Sequence, residues 1–184
     1  MSPINTDTHN GPSFSFQNRL VRFCWNIVYT FLFRYSPVTF HAWRSLLLRM
    51  FGAKVGKGVH VYPGVKIWAP WNLEIKDYAG IAGGVILYSQ GFISIGRKTV
   101  ISQNAHLCAG THDYTKEGFP LITKPIHIGD HVWIAADAFV HPGVNIGNGS
   151  VVGARSVVTQ SLPEWQICTG HPCVPVKRRE LHSL

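Results

Sequence analysis

Residues 108–114 read Cys-Ala-Gly-Thr-His-Asp-Tyr and set a thiol, a histidine, a carboxylate and a phenol close together in the chain. Histidine is the side chain that ordinarily titrates nearest neutral pH. His112 is therefore a candidate general base. Asp113 is a candidate to orient the imidazole, but sequence neighbours seldom face one another, and a backbone carbonyl would serve as well. Tyr114 is a candidate roof for the pocket, and Cys108 is read as a packing residue rather than a nucleophile. Upstream, Tyr88, Ser89 and Gln90, together with Asp113, are candidate polar contacts to a substrate.

These side chains need a rigid support, and the sequence around them repeats every six residues. From Ile128 the chain reads IGDHVW, IAADAF, VHPGVN, IGNGSV, VGARSV and VTQSLP, so six consecutive blocks begin with Ile or Val. A helix repeats its apolar face near 3.6 residues and a strand near 2. A period of six, with a small residue often next and a small or branched one four on, implies a short strand and a tight corner, and three faces close a triangular coil. Upstream the blocks are VGKGVH, VYPGVK and IWAPWN from Val55; IKDYAG, IAGGVI and LYSQGF from Ile75; and IGRKTV, ISQNAH and LCAGTH from Ile95. Gaps of eight, from Ile67 to Ile75 and from Leu87 to Ile95, mark two-residue insertions between coils. The expectation is an all-β chain, a parallel β-helix of about five coils of eighteen residues, with the block heads in one buried column. His112 ends LCAGTH and the next regular block starts at Ile128, so 113–125 leaves the coil as a loop with His112 at its root.

Composition bounds the rest. A chain of 184 residues, 46% hydrophobic, is long enough for one sizeable core. The formal net charge of +8 suits phosphorylated cofactors, anionic glycans, acidic membrane surfaces or nucleic acid and selects none of them. Along the coils the aromatics are not interleaved with basic residues, which excludes a nucleic-acid groove, and no P-loop or Rossmann glycine pattern is present. The four cysteines fit neither a zinc pattern nor a disulfide framework, and the polar opening MSPINTDTHNGPSFSF does not read as a signal peptide. A reduced, cytoplasmic protein is expected. Residues 1–51 form a polar leader and an amphipathic helical segment; 52–184 form the repeat domain, with a C-terminal tail at 159–184. The run Leu20–Phe33 is too short for a membrane span and is broken by Arg22 and Asn26. With Ser36–Phe51 it forms one or two helices, separated at Ser36-Pro37, for which two readings stand: a cap on the end of the coil, or a helix at a membrane surface.

This repeat resembles that of the hexapeptide-repeat acyltransferases, over Gly52 to Lys177. More narrowly, WRSLLLRMFGAKVG, AGTHDY followed by LITKPIHIGDHVWI, and TGHPCVPVK resemble the O-acetyltransferases of exopolysaccharide biosynthesis, of the colanic acid type; galactoside and maltose acetyltransferases are more distantly similar. The resemblance implies a left-handed β-helix, a homotrimer with active sites between subunits, and coenzyme A-dependent O-acetyl transfer from acetyl-CoA to a sugar or glycan, with His112 as general base and no metal. Lipid-linked glycan and a peripheral position at the inner membrane surface are part of that expectation. Coenzyme A would lie in the groove between adjacent β-helices. By position, Ala136 would face the thioester, Ala154 and Thr159 the pantetheine arm, and Gln160 and Lys177 the nucleotide, with Trp133 packing nearby. Two departures stand out. Gln160 occupies a position often held by lysine, for which Lys177, Arg178 and Arg179 offer replacement charge, and Ala82 and Gln90 stand where relatives carry Asn or Asp. A non-catalytic trimeric scaffold is the alternative. A further one is the zinc-dependent carbonic-anhydrase branch of the fold, but His106 and His112 are six apart and point differently, and the spacings of His127, His131 and His141 do not resemble that branch.

Overall fold

Counting in sixes finds the side chains that face inward. A computed structural model describes residues 13–181, in which the chain winds through three parallel sheets, one for each face of a triangular coil. The first face stacks Lys54–Val55, Leu73–Ile75, Ile93–Ile95, Ile126–Ile128 and Asn145–Ile146. The second stacks His60–Val61, Gly80–Ile81, Val100–Ile101, Trp133–Ile134, Val151–Val152 and Gln166–Gly170. The third stacks Lys66–Ile67, Ile86–Tyr88, His106–Cys108, Phe139–Val140 and Val157–Val158.

Each block head lies opposite the head of the next turn, as in Ile75 with Ile95, Ile81 with Ile101 and Leu87 with Leu107. These six are buried, and so are residues four beyond a block head such as Val59, Ala79, Thr99 and Ser150. Two inward side chains per block, large then small, fill the narrow interior at the density a protein core requires. Backbone bonds join successive turns, for example Gly56 N–H to the Ile75 carbonyl at 2.8 Å and Gly129 N–H to that of Ile146 at 2.8 Å. At the corner between the first and second faces the turns come so close that a Cβ on Gly96 would overlap the Gly129 carbonyl.

The expected count of about five turns is met by five complete ones, and a sixth begins where Leu162 bridges Ile146 and Gln166–Gly170 joins the second face. The segment assigned to a tail is therefore partly strand. Gln166–Gly170 pairs antiparallel with Cys173–Arg178, and this hairpin closes the end of the coil over buried Cys168 and Cys173. Burial, with Cys173 nearby, pushes the Cys168 thiol up to about 11.

At the other end lie α1 (Phe16–Val28), a π-helical turn at Tyr29–Phe33 and α2 (His41–Met50). The Ser15 hydroxyl caps α1 by accepting from Asn18 N–H at 3.3 Å. Trp25, Phe33, Leu47 and Leu48 are buried in the same core as the coil, and the Trp25 indole donates to the Ile67 carbonyl at 2.8 Å. Arg44 is buried whole. It donates to the Val61 carbonyl at 2.6 Å, to Ser36 Oγ at 2.7 Å and to the Pro37 carbonyl at 2.8 Å. The helices thus cap the first turn, while Phe16, Phe23 and Phe31 on their outer sides stay exposed. Among the described residues no helix is long and apolar enough to cross a membrane.

Candidate active site

Three successive insertions leave the coil at one corner, between the third face and the first. The first, after Ile67, makes a short turn at Pro70–Asn72; the second, after Leu87, carries Ser89 and Gln90; the third, after Leu107, carries His112. They brace one another. Asn72 Nδ2 donates to the carbonyls of Ser89 at 2.9 Å and Gln90 at 3.0 Å, and Gly110 sits so close to Gln90 that a Cβ there would overlap the amide oxygen. The segment expected as a loop over 113–125 is half of a hairpin: Gly110–His112 pairs antiparallel with Leu121–Thr123, His112 opposite Leu121.

The hairpin locks the histidine. His112 is exposed, and its Nδ1 lies 2.6 Å from the Phe119 carbonyl, across the hairpin tip. A carbonyl can only accept, so Nδ1 carries the proton and Nε2 keeps the free lone pair. The orienting group is thus the backbone carbonyl and not Asp113. That carboxylate turns away to accept from Thr115 Oγ1 at 2.6 Å and Thr115 N–H at 3.1 Å. These bonds, with Lys116 nearby, hold it below the usual carboxylate range. Asp113 shapes the tip that presents Phe119.

His112 lines a cavity of about 550 Å³, with Tyr88, Gln90, Gly110, Thr111 and Leu121 from the insertions and Ser13, Phe14, Arg19 and Arg22 from the N-terminal segment. Of the five residues expected around the substrate, Tyr88, Ser89, Gln90, Asp113 and Tyr114, only Tyr88 and Gln90 line this cavity with His112 among the described residues. Gln90 Nε2 donates to the Tyr88 phenol at 2.8 Å, which fixes that ring, and leaves its own amide oxygen buried without a partner. Burial raises the phenol's pKa and keeps it protonated at neutral pH. Ser89, Asp113 and Tyr114 are not among the lining residues. Ser89 is buried and exchanges hydrogen bonds with Ala69, accepting from its N–H at 3.0 Å and donating to its carbonyl at 2.9 Å. Tyr114 points to solvent, 83% exposed. Cys108 donates to the Gly110 carbonyl at 3.1 Å, and burial pushes its thiol up, away from a nucleophile's range.

Sequence reasoning missed Arg19 and Arg22. Both lie on α1, far from His112 in the chain; a basic, aromatic segment read only as a cap or a membrane helix contained the signal. Phe14 packs on Trp68 with centroids 4.8 Å apart, and the Arg22 guanidinium lies over Trp68 at 4.5 Å and Phe14 at 5.8 Å.

The residues expected along coenzyme A lie elsewhere on the coil. Ala136 and Ala154 occupy the corner between the second and third faces on successive turns, where Arg155 N–H donates to the Ala136 carbonyl at 2.9 Å. Trp133, Val151, Ile167 and Lys177 share one register row of the second face, and the Trp133 indole donates to Ser102 Oγ at 2.9 Å. Thr159 and Gln160 are exposed just past the third face. Ala136 and Ala154 are thus a full face away from the His112 corner of the same chain. Among the described residues no three His, Cys, Asp or Glu side chains are grouped to hold a metal ion.

Comparison with known proteins agrees with the fold. The family described as bacterial transferase hexapeptide (six repeats) matches residues 125–160. WcaF of Escherichia coli (strain K12), named for colanic acid biosynthesis acetyltransferase activity, is 48% identical over 155 residues, covering 84% of this chain and 85% of its own. The galactoside O-acetyltransferase of the same organism is 32% identical over 133 residues, covering 70% of this chain and 64% of its own. The crystal structure of the hexapeptide-repeat acetyltransferase VCA0836 of Vibrio cholerae O1 biovar eltor, complexed with acetyl coenzyme A, superposes with a TM-score of 0.82 at 27% identity, over 90% of this chain and 91% of that one. The chain belongs to the hexapeptide-repeat acetyltransferases.

Proposed function

We propose that this protein moves an acetyl group from acetyl-CoA to a hydroxyl of a sugar or glycan, with His112 as the general base. The observation that carries the reading is the locked imidazole: Nδ1 is held by the Phe119 carbonyl, and the side chain borders a cavity walled by Tyr88 and Gln90. Nε2 takes the proton as the acceptor oxygen bonds to the acetyl carbon. It returns that proton to the sulfur as the carbon–sulfur bond breaks, so the base is regenerated each turnover. A ring wall and an unpaired amide oxygen suit a saccharide, which offers apolar faces and hydroxyl donors together. Trp133, Ala136, Ala154, Thr159, Gln160 and Lys177 are the proposed contacts for the coenzyme. Because Ala136 and Ala154 lie at a different corner from His112, the complete site is proposed to form between two copies, in a trimer.

The test is calorimetry of wild type and His112→Ala with acetyl-CoA, followed by thiol release with a panel of saccharides. Binding by both proteins, with release lowered about 10²- to 10⁴-fold in the variant, is expected. Equal release by the two proteins would remove His112 from the chemistry, and no binding by either would favour a non-catalytic scaffold.

A second reading adds a peripheral place at an anionic, cytoplasmic membrane surface and an acceptor on a lipid carrier. It rests on the N-terminal helices, where Phe16 is 71% and Phe31 73% exposed and Arg34 follows Phe31 by three residues. Vesicles containing anionic lipid are expected to carry the full-length protein upward in a flotation gradient; protein left at the bottom would refute this reading.

A further inference from the structure

The cations beside His112 have no anions of their own. Among the described residues the only ion pair is Lys116 with Asp113 at 3.8 Å, so neither Arg19 nor Arg22 has a carboxylate partner. Among the described residues no Asp or Glu lines the His112 cavity. A second cavity of about 530 Å³ adjoins it through shared Arg22 and Tyr88, adds Lys66 and again has no acidic lining residue among those described.

Arg22 is held in a particular way. The faces of Trp68 and Phe14 engage its π-system at 4.5 and 5.8 Å, and no side-chain hydrogen bond to it exists among the described residues. Stacking fixes a guanidinium in place without consuming its N–H donors, which lie in the guanidinium plane and remain for a ligand. The group is half-buried and close enough to Tyr88 for its charge to act on the phenol. Arg19, one helical turn earlier, is exposed and lies over the Phe16 ring, 5.9 Å from its centroid. A neutral sugar needs hydrogen bonds but no net charge. Two guanidiniums without a carboxylate partner, in a wall whose described residues include no acid, match an oxyanion, which they can take in bidentate fashion.

We propose that the acceptor is an anionic saccharide, whose carboxylate or phosphate is bound by Arg22 with Arg19 while a hydroxyl is presented to His112. This rests on the saccharide acetyl-transfer reading above and narrows its substrate class. The shared chemistry is an oxyanion on a sugar, supplied either by a uronic acid or by a sugar phosphate.

Three ligands of similar size test it: a glucuronate-containing disaccharide, a disaccharide phosphate and a neutral disaccharide. Each is titrated calorimetrically into wild type, Arg22→Gln, Arg22→Lys and Arg19→Gln, and each is then assayed for thiol release from acetyl-CoA. At least one anionic ligand is expected to bind wild type about tenfold or more tightly than the neutral one. That preference falls about tenfold in Arg22→Gln, recovers in part in Arg22→Lys, and shrinks with added salt. The favoured ligand identifies the oxyanion as carboxylate or phosphate. Neutral and anionic ligands of equal affinity, or failure of both anionic ligands to bind, would overturn the inference. If Arg22→Gln displaces α1, Arg19→Gln carries the test, because that side chain is exposed; an unchanged preference there would also overturn it. Anionic preference without thiol release from any saccharide would instead defeat the transferase reading and leave the anion site standing, so the two failures are distinct.

Discussion

His106 and His112 stand one block apart in the repeat and have opposite environments. His112 leaves the coil and has one nitrogen bonded to a carbonyl. His106 stays on the third face between Tyr88 and Phe139, with centroids 6.2 and 4.8 Å away, and its Nε2 is buried without a partner. Burial lowers its pKa from the ordinary 6.5. The unfolded chain therefore takes up this proton at a higher pH than the folded one, so the neutral ring's contribution to stability is full above about 6.5 and is lost as pH falls through the lowered folded value. Replacing His106 by Phe, which keeps the packing and removes the proton site, should make the unfolding midpoint fall less between pH 7 and pH 5 than in wild type. Thermal melts over that range check it, and parallel curves would show that His106 takes no part. The tautomer of His112 was beyond sequence reasoning, because its partner is a backbone carbonyl from the far side of a turn.

At the scale of elements, the coil and its corner insertions divide the work. The heads of the blocks carry stability: Ile95→Thr should cost about 2 to 5 kcal/mol, from lost burial and an unpaired hydroxyl, read as a lower urea midpoint. In the helical cap, Arg44→Ala should cost about 3 kcal/mol, since it strips the charged donors from the Val61 and Pro37 carbonyls and opens a void. The hairpin carries the proposed base instead. Deleting 114–118 removes the tip that aims the Phe119 carbonyl, and it should lower kcat by about tenfold or more while acetyl-CoA affinity and the melting temperature stay near wild type. A matching loss of coenzyme affinity would mean that the tip also contacts the donor. The repeat was legible because its period is set by the coil itself, and the hairpin was legible only as a gap in that period. Its second strand, Leu121–Thr123, does not keep the six-residue period, because it pairs antiparallel outside the coil.

At the scale of the molecule, the distance between the His112 corner and the Ala136 corner makes a prediction about assembly. If each site takes its base from one copy and its coenzyme groove from the next, two inactive variants should complement. His112→Ala mixed with Ala136→Trp, unfolded and refolded together, should recover up to about a quarter of wild-type thiol release, the chance that neighbouring copies supply both intact halves. No recovery from oligomers shown to be mixed would place each site within one chain. The sequence by itself determined the coil, the inward column, the corner at which the chain departs and the histidine at its root, because all of these follow from a short period that every turn must obey. Only the tertiary structure decided that the Phe119 carbonyl and not Asp113 holds the imidazole, that Ser89 and Tyr114 turn away from the cavity, and that α1 brings Arg19 and Arg22 to its wall. Those facts depend on contacts between segments that no local pattern connects: the lateral packing of three insertions at one corner, and of a helix across them.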